Sequence, residues 1–226
     1  MVDLNFRELF PSPFAFANFG ESAKGLNKKL VDDINNEMAN YQPQTQTRTF
    51  AINECGWQSG HLETKYESFK EIGDAIQQCV PPMLIHSGAE KDYAAKLKVE
   101  GIWANVIFAA GGFSQPHVHG NGDTLWTGVY YPAGAETENL DNFDSNKHII
   151  GETTRGSGNL VLKDPSFIQK RLIRFPWRTK KYYGASVSVI PRESLLVMFP
   201  TWIEHYVQPV TDNTKRYSIS FSIKRP

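Results

Sequence analysis

Over the first hundred positions, apolar residues recur at the spacing of a helix. Leu26, Leu30, Ile34 and Met38 fall four apart with Asn and Lys between them, and Glu21-Ser22 offers a cap just upstream. Phe69, Ile72 and Ile76 place a second helix over Tyr66 to Gln78. Pro81-Pro82 should stop it, since proline lacks the amide donor and its ring collides with the preceding turn. A third, more polar helix is expected from Ala89 to Leu97. These helices are amphipathic and must lay their apolar faces on something.

From Glu100 onward the pattern changes. GIWANVIFAA, TLWTGVYYP, GNLVLKD, SVSVIP, SLLVMFP and RYSISFSI are short and rich in β-branched and aromatic residues, with Gly, Pro, Asn or Asp clusters between them. This predicts an antiparallel sandwich or barrel of roughly six to eight strands, which suits a jelly roll. The turn-rich insert from Ala133 to Ser157 reads as a long loop, and such loops commonly serve as lids. The expected fold is mostly β with N-terminal helices. It forms a single domain over 1–226, with a helical support region over 1–100 and a jelly-roll core over 101–226.

Composition narrows the classes. The 226 residues are ample for a sizeable core, and 24 basic against 24 acidic residues leave no net charge. That balance makes no case for general nucleic-acid or anionic-membrane binding, although it is silent on local patches such as Lys170–Arg174 and Arg178–Lys181. No apolar stretch approaches the ~20 residues that span a bilayer. The N-terminus carries an early acid and no apolar h-region, so no signal peptide is expected. Cys55 and Cys79 are too few for a disulfide framework, and no CxxC or glycosylation sequon is present. The expectation is a soluble, reduced, cytoplasmic protein. Charge and exposed apolar pattern name no partner, and a homo-oligomer is left open.

Two segments carry candidate chemistry. In SQPHVHGNGD, His117 and His119 stand two apart, so an extended backbone would turn both imidazoles to one face, where they could share a metal. The plain alternative is two surface histidines in a loop. In FPTWIEHYVQPV, His205 follows a strongly apolar strand, and eleven positions later comes Arg216. Alternation in RYSISFSI puts Arg216, Ser218 and Ser220 on one face. An inward Arg is costly without an anion, and a guanidinium fork beside a hydroxyl suits the carboxylate of a small dicarboxylate. The alternative there is a solvated edge strand.

Taken together, HxH, LWTGVYYP, FP-x-W-x-x-H and Arg-x-Ser resemble the 2-oxoglutarate- and iron(II)-dependent oxygenases. The closer likeness is to a small family from marine bacteria and their phages, related to prolyl hydroxylases; GWQS at Gly56–Ser59, WANV at Trp103–Val106 and PSPF near the start add to it. The resemblance implies a double-stranded β-helix (jelly roll) with iron held by His117 and His205. It also implies 2-oxoglutarate chelating the metal, its far carboxylate on Arg216 and Ser218, and dioxygen as co-reactant. Asn105 and Thr127 are expected to line the cosubstrate pocket from neighbouring strands. The resemblance further implies a hydroxylase, with a peptidyl side chain such as proline as substrate by kinship alone.

One departure stands out. The usual set is two histidines and a carboxylate two residues after the first, and this chain has His119 there. The third ligand is His119, which strand geometry favours, or Asp123 from the GNGD turn, or water.

Two other readings compete. Gly111-x5-His117-x-His119-x3-Asp123 approaches the first cupin motif, but Trp202 stands where the second motif needs Gly. A non-catalytic jelly-roll module would need neither the histidines nor the Arg. Trp103, Trp126, Tyr130, Tyr131 and Trp202 are expected in the core, and His61, His86 and His148 are given no metal role.

Overall fold

The computed structural model describes residues 12–40, 53–108, 110–120, 122–134, 140–151, 156–166 and 185–225. The basic runs at 170–174 and 178–181 lie outside them. In chain order the elements are β1 (Ala15–Asn18), a 3-10 turn (Glu21–Ala23), α1 (Lys24–Ala39), β2 (Asn53–Glu54), β3 (Gly56–His61), α2 (Glu67–His86) and α3 (Lys91–Ala94). There follow β4 (Lys98–Ile107), β5 (Phe113–His117), β6 (Thr124–Tyr130), α4 (Ser145–His148) and β7 (Ile149–Gly151). The chain closes with β8 (Leu160–Lys163), β9 (Ser186–Val189), β10 (Leu195–Pro200), β11 (His205–Val207) and β12 (Arg216–Lys224).

The strands form two six-stranded antiparallel sheets, ordered β1-β10-β6-β12-β4-β3 and β2-β5-β11-β8-β9-β7. This is the double-stranded β-helix, or jelly roll. All six segments read as strands from their composition are strands. The period-2 alternation sorts the β6-containing sheet cleanly. Trp126 and Tyr130 of β6 face a core shared with Leu30, Ile34, Phe69, Ile72 and Ile76 of the helices, while Val129 and Tyr131 pack with Leu160, Leu162, Val197 and Phe199 between the sheets. Gly128 has to be glycine: a Cβ there would sit 2.3 Å from Phe221 Cζ and 2.5 Å from the Val197 carbonyl.

Several expectations are corrected. α2 does not stop at Pro81-Pro82 but runs through both to His86. Its far end buries Val80, Met83 and Leu84. Burying three such side chains is worth about 1.5–3 kcal/mol each, comparable with the ~3 kcal/mol cost of each interior proline. The third helix shrinks to Lys91–Ala94, and the first hundred residues also supply β1, β2 and β3 to the two sheets. The described part of the 133–157 insert holds α4 and β7, which pairs with β9 as an edge of the second sheet rather than hanging as a lid. Trp202 is not core; it is 57% exposed. No helix among the described residues is long and apolar enough to cross a membrane.

Candidate metal and anion site

Between the sheets lies a pocket enclosing about 530 Å³ of empty space, its open mouth included. At one end, β5 and β11 run antiparallel with His117 directly opposite His205. His119 follows β5, its amide tied to the Thr201 carbonyl at 3.1 Å. The structure thus brings the three histidines together, their ligand nitrogens all within 4.8 Å of one another. Asp123 is elsewhere: its side chain is 73% exposed and faces Arg225 at 3.6 Å. Of the two candidates for a third ligand, the structure brings His119, and not Asp123, to His117 and His205.

The donor set fits a divalent transition metal. Nδ1 of His117 lies 2.7 Å from the Gln115 carbonyl and Nδ1 of His205 lies 2.9 Å from the Ile203 carbonyl. A carbonyl only accepts, so both Nδ1 atoms donate and both Nε2 atoms keep their lone pairs in the neutral rings. Nε2 of His119 lies 3.2 Å from Nε2 of His205. Two nitrogens sharing one ion with bonds of about 2.1 Å at right angles would stand about 3 Å apart. The rings are held neutral as well: burial, reinforced by the His117 charge, lowers His119 to about 4. Burial and the neighbouring imidazoles lower His205 to about 3, and burial also lowers His117.

The same pocket is lined by Arg216, opening β12. Its Nε donates to the Gly158 carbonyl at 2.7 Å, one terminal nitrogen to the Ser218 hydroxyl at 3.0 Å and the other to the Tyr131 hydroxyl at 3.3 Å. The guanidinium also lies over the Tyr131 ring, 5.3 Å from its centroid. Burial pushes the Arg216 pKa down and the Tyr131 pKa up. No carboxylate pairs with Arg216 among the described residues.

Asn105 and Thr127 line the pocket as expected. Their polar atoms are partly engaged: Asn105 Nδ2 donates to Ser220 Oγ at 3.1 Å, and the Thr127 hydroxyl donates to the Phe221 carbonyl at 2.9 Å. Tyr131 was missed as a site residue. The same alternation that faces Val129 inward faces Tyr131 inward, and would have separated it from Tyr130. Trp103, also expected in the core, is half-buried in the pocket wall, its ring 6.1 Å from that of His119 and 6.4 Å from that of exposed His61.

A jelly roll whose cavity is lined by three convergent imidazoles and a half-buried guanidinium defines a metal-and-anion-binding protein class. Residues 101–222 match the family described as "Putative 2OG-Fe(II) oxygenase", and the chain belongs to that family, whose cofactors are iron(II) and 2-oxoglutarate. No curated protein matches the chain by sequence. Among solved structures, the fold is similar to a Pseudomonas putida prolyl-4-hydroxylase at 14% identity, covering 95% of this chain and 94% of that one with a TM-score of 0.57. It is also similar to a Trichoplax adhaerens prolyl hydroxylase bound to a hypoxia inducible factor peptide fragment (14% identity, 95% and 84% covered, TM-score 0.54). A third likeness is to the epimerase SnoN of nogalamycin biosynthesis, in complex with Fe3+, alpha ketoglutarate and nogalamycin RO (11% identity, 95% and 79% covered, TM-score 0.56). At such identities these likenesses concern the fold.

Proposed function

We propose that the chain is a hydroxylase whose iron(II) is held by Nε2 of His117, His119 and His205 and whose 2-oxoglutarate places its far carboxylate on Arg216 and Ser218. The observation that carries this reading is the meeting of both groups in one pocket. When bound, iron and dioxygen couple decarboxylation of 2-oxoglutarate, to succinate and carbon dioxide, with oxidation of a substrate C–H bond. The chain's own residues bind and orient. The Gln115 and Ile203 carbonyls fix two imidazoles as Nε2 donors, and Tyr131 and Gly158 aim the guanidinium. Asn105 and Thr127 shape the wall, while Phe199, Val129 and Leu160 limit water. We read the chain as a single domain in which α1 and α2 buttress a jelly roll completed by β1, β2 and β3 from the first hundred residues. A cupin reading leaves Arg216 and Ser218 without a role.

A peptidyl side chain such as proline is the proposed substrate, supported by the prolyl hydroxylases among proteins of similar fold. The test is anaerobic titration of the apo-protein with iron(II) and 2-oxoglutarate, watching for the visible metal-to-ligand charge-transfer band. A band that needs both, vanishes in His205→Ala and weakens in Arg216→Ala supports the site. Absence of a band despite metal binding sinks it. Peptides would then be screened for gain of one oxygen atom, and product lacking that oxygen would replace hydroxylation with another oxidation.

A further inference from the structure

The described lining residues give the pocket positive charge and nothing negative to balance it. Among its described lining residues Arg216 is the one charged side chain, and the three imidazoles are neutral donors. Every hydrogen-bond acceptor around the guanidinium is neutral too: a carbonyl and two hydroxyls. The two carboxylates nearest the histidines in sequence are engaged elsewhere: Asp123 is turned to solvent and to Arg225, and Glu204, beside His205, pairs with Lys163. An ion on the imidazoles would therefore join Arg216 in a partly buried cavity, three formal positive charges in all. Like charges brought together in low dielectric oppose each other, so each lowers the affinity for the other. A dianion reaching from one to the other reverses that sign. Where a protein contributes its own carboxylate to the metal, part of this compensation is built in; the described residues here contribute none.

We propose that the 2-oxo dicarboxylate is a structural part of this metal centre, supplying the anionic ligand that the described residues do not offer, so that ion and dicarboxylate are retained as a pair and neither is retained well alone. This rests on the reading of the pocket as a metal and 2-oxoglutarate site. It adds a regulatory property: metal occupancy rises and falls with the concentration of 2-oxo dicarboxylate. The coupling requires one molecule to meet both charges. Glutarate matches the length and both carboxylates but lacks the 2-oxo group for chelation, so it can occupy Arg216 without completing the ion's ligand set.

The experiment is a calorimetric titration of the full-length apo-protein with cobalt(II), alone, with saturating 2-oxoglutarate and with glutarate; the cobalt complex that free 2-oxoglutarate forms is subtracted from a protein-free run. The expected result is cobalt affinity tightened on the order of 10- to 100-fold by 2-oxoglutarate, within the usual range of coupling between sites, and by less than about 3-fold by glutarate. By reciprocity, cobalt tightens 2-oxoglutarate binding by the same factor.

Two variants separate charge from architecture. His119→Asp builds a carboxylate into the ligand set, so it should bind cobalt more tightly alone and show coupling reduced to about a third or less. Arg216→Gln removes the repelling cation, so it should bind cobalt several-fold more tightly than wild type without dicarboxylate, and lose the coupling. A merely structural role for Arg216 would weaken cobalt binding instead. Circular dichroism checks that each variant folds; should His119→Asp fail, Arg216→Gln and the glutarate comparison still decide. Wild type without coupling, or coupling as strong with glutarate as with 2-oxoglutarate, overturns the proposal. Failure of the underlying reading looks different: no form binds 2-oxoglutarate, with or without cobalt.

Discussion

His119 and His205 stack with their rings 3° from parallel and their Nε2 atoms 3.2 Å apart. With Nδ1 of His205 donating to the Ile203 carbonyl, its Nε2 accepts, so in the metal-free protein His119 donates through Nε2. A metal takes the place of that shared proton, and His119 must move its own proton to Nδ1. His205→Ala removes a ligand and the partner that holds His119. Cobalt(II) affinity should fall on the order of 100-fold or more, at or beyond the upper end of what losing a supporting hydrogen bond costs. His61→Ala, at the exposed end of the ring series, should leave it within a few-fold. Equal losses in both variants would place the metal elsewhere.

The same burial sets a pH dependence for the metal-free fold. His119 and His205 titrate near 4 and 3 when folded, chiefly through desolvation, against 6.5 unfolded. Between these values the unfolded chain binds more protons, so stability is full above about pH 6.5 and is lost as pH falls toward 4 and below. Urea midpoints of apo-protein measured from pH 7.5 to 4.5 should decline across this window, and His119→Gln should flatten the decline. A midpoint independent of pH here would contradict the buried, neutral state of these rings.

Arg216 should dominate cosubstrate affinity. A hydrogen bond to a charged group is worth roughly 1.5–3 kcal/mol, so Arg216→Gln should weaken 2-oxoglutarate binding to the zinc-loaded protein by about 10- to 100-fold. Ser218→Ala and Tyr131→Phe should cost less, about 3- to 10-fold each, since each removes one neutral hydroxyl. Arg216→Lys should recover only part of the loss, because a point charge lacks the planar fork. Competition against a fluorescent dicarboxylate analogue would rank the four variants.

Gly128→Ala tests the packing beneath the pocket. Its new methyl would meet both the Phe221 ring and the Val197 carbonyl, and backbone yields poorly. A loss of about 1–3 kcal/mol or more is expected from the urea midpoint. A neutral result would mean that β6 can draw away from β10 without cost.

Much of this was legible in the sequence because period 2 is a strong signal where one face is buried. Arg216, Ser218 and Ser220 share the pocket face that the alternation assigns them, and His117 and His119 converge as an extended backbone requires. Other elements were hidden for physical reasons. β11 has three residues, β5 contains Pro116, and β3 has two glycines, so each is specified by its neighbours' hydrogen bonds more than by its own composition. Pro81 and Pro82 misled because local cost was weighed without the burial of Val80, Met83 and Leu84. Tyr131 went unread as a site residue because the doublet with Tyr130 looked like core on both sides, although adjacent strand residues face opposite ways. Trp202 was assigned inward on ring size alone, and it lies exposed on the turn before His205.

His117 and His205 face each other across two strands that pair only when distant parts of the chain meet; His119 and His205 are 86 residues apart in sequence. A contact of that range closes late, since loop entropy must be overcome before it is rewarded. One of the three proposed ligands, His205, is therefore missing from the site while the C-terminal strands are unmade. A nascent or partly folded chain offers the metal two imidazoles from one short segment and no partner strand opposite them. On the proposed ligand set, loading thus follows folding and reports on its completion: redox competence would arise only after the C-terminal strands are in place.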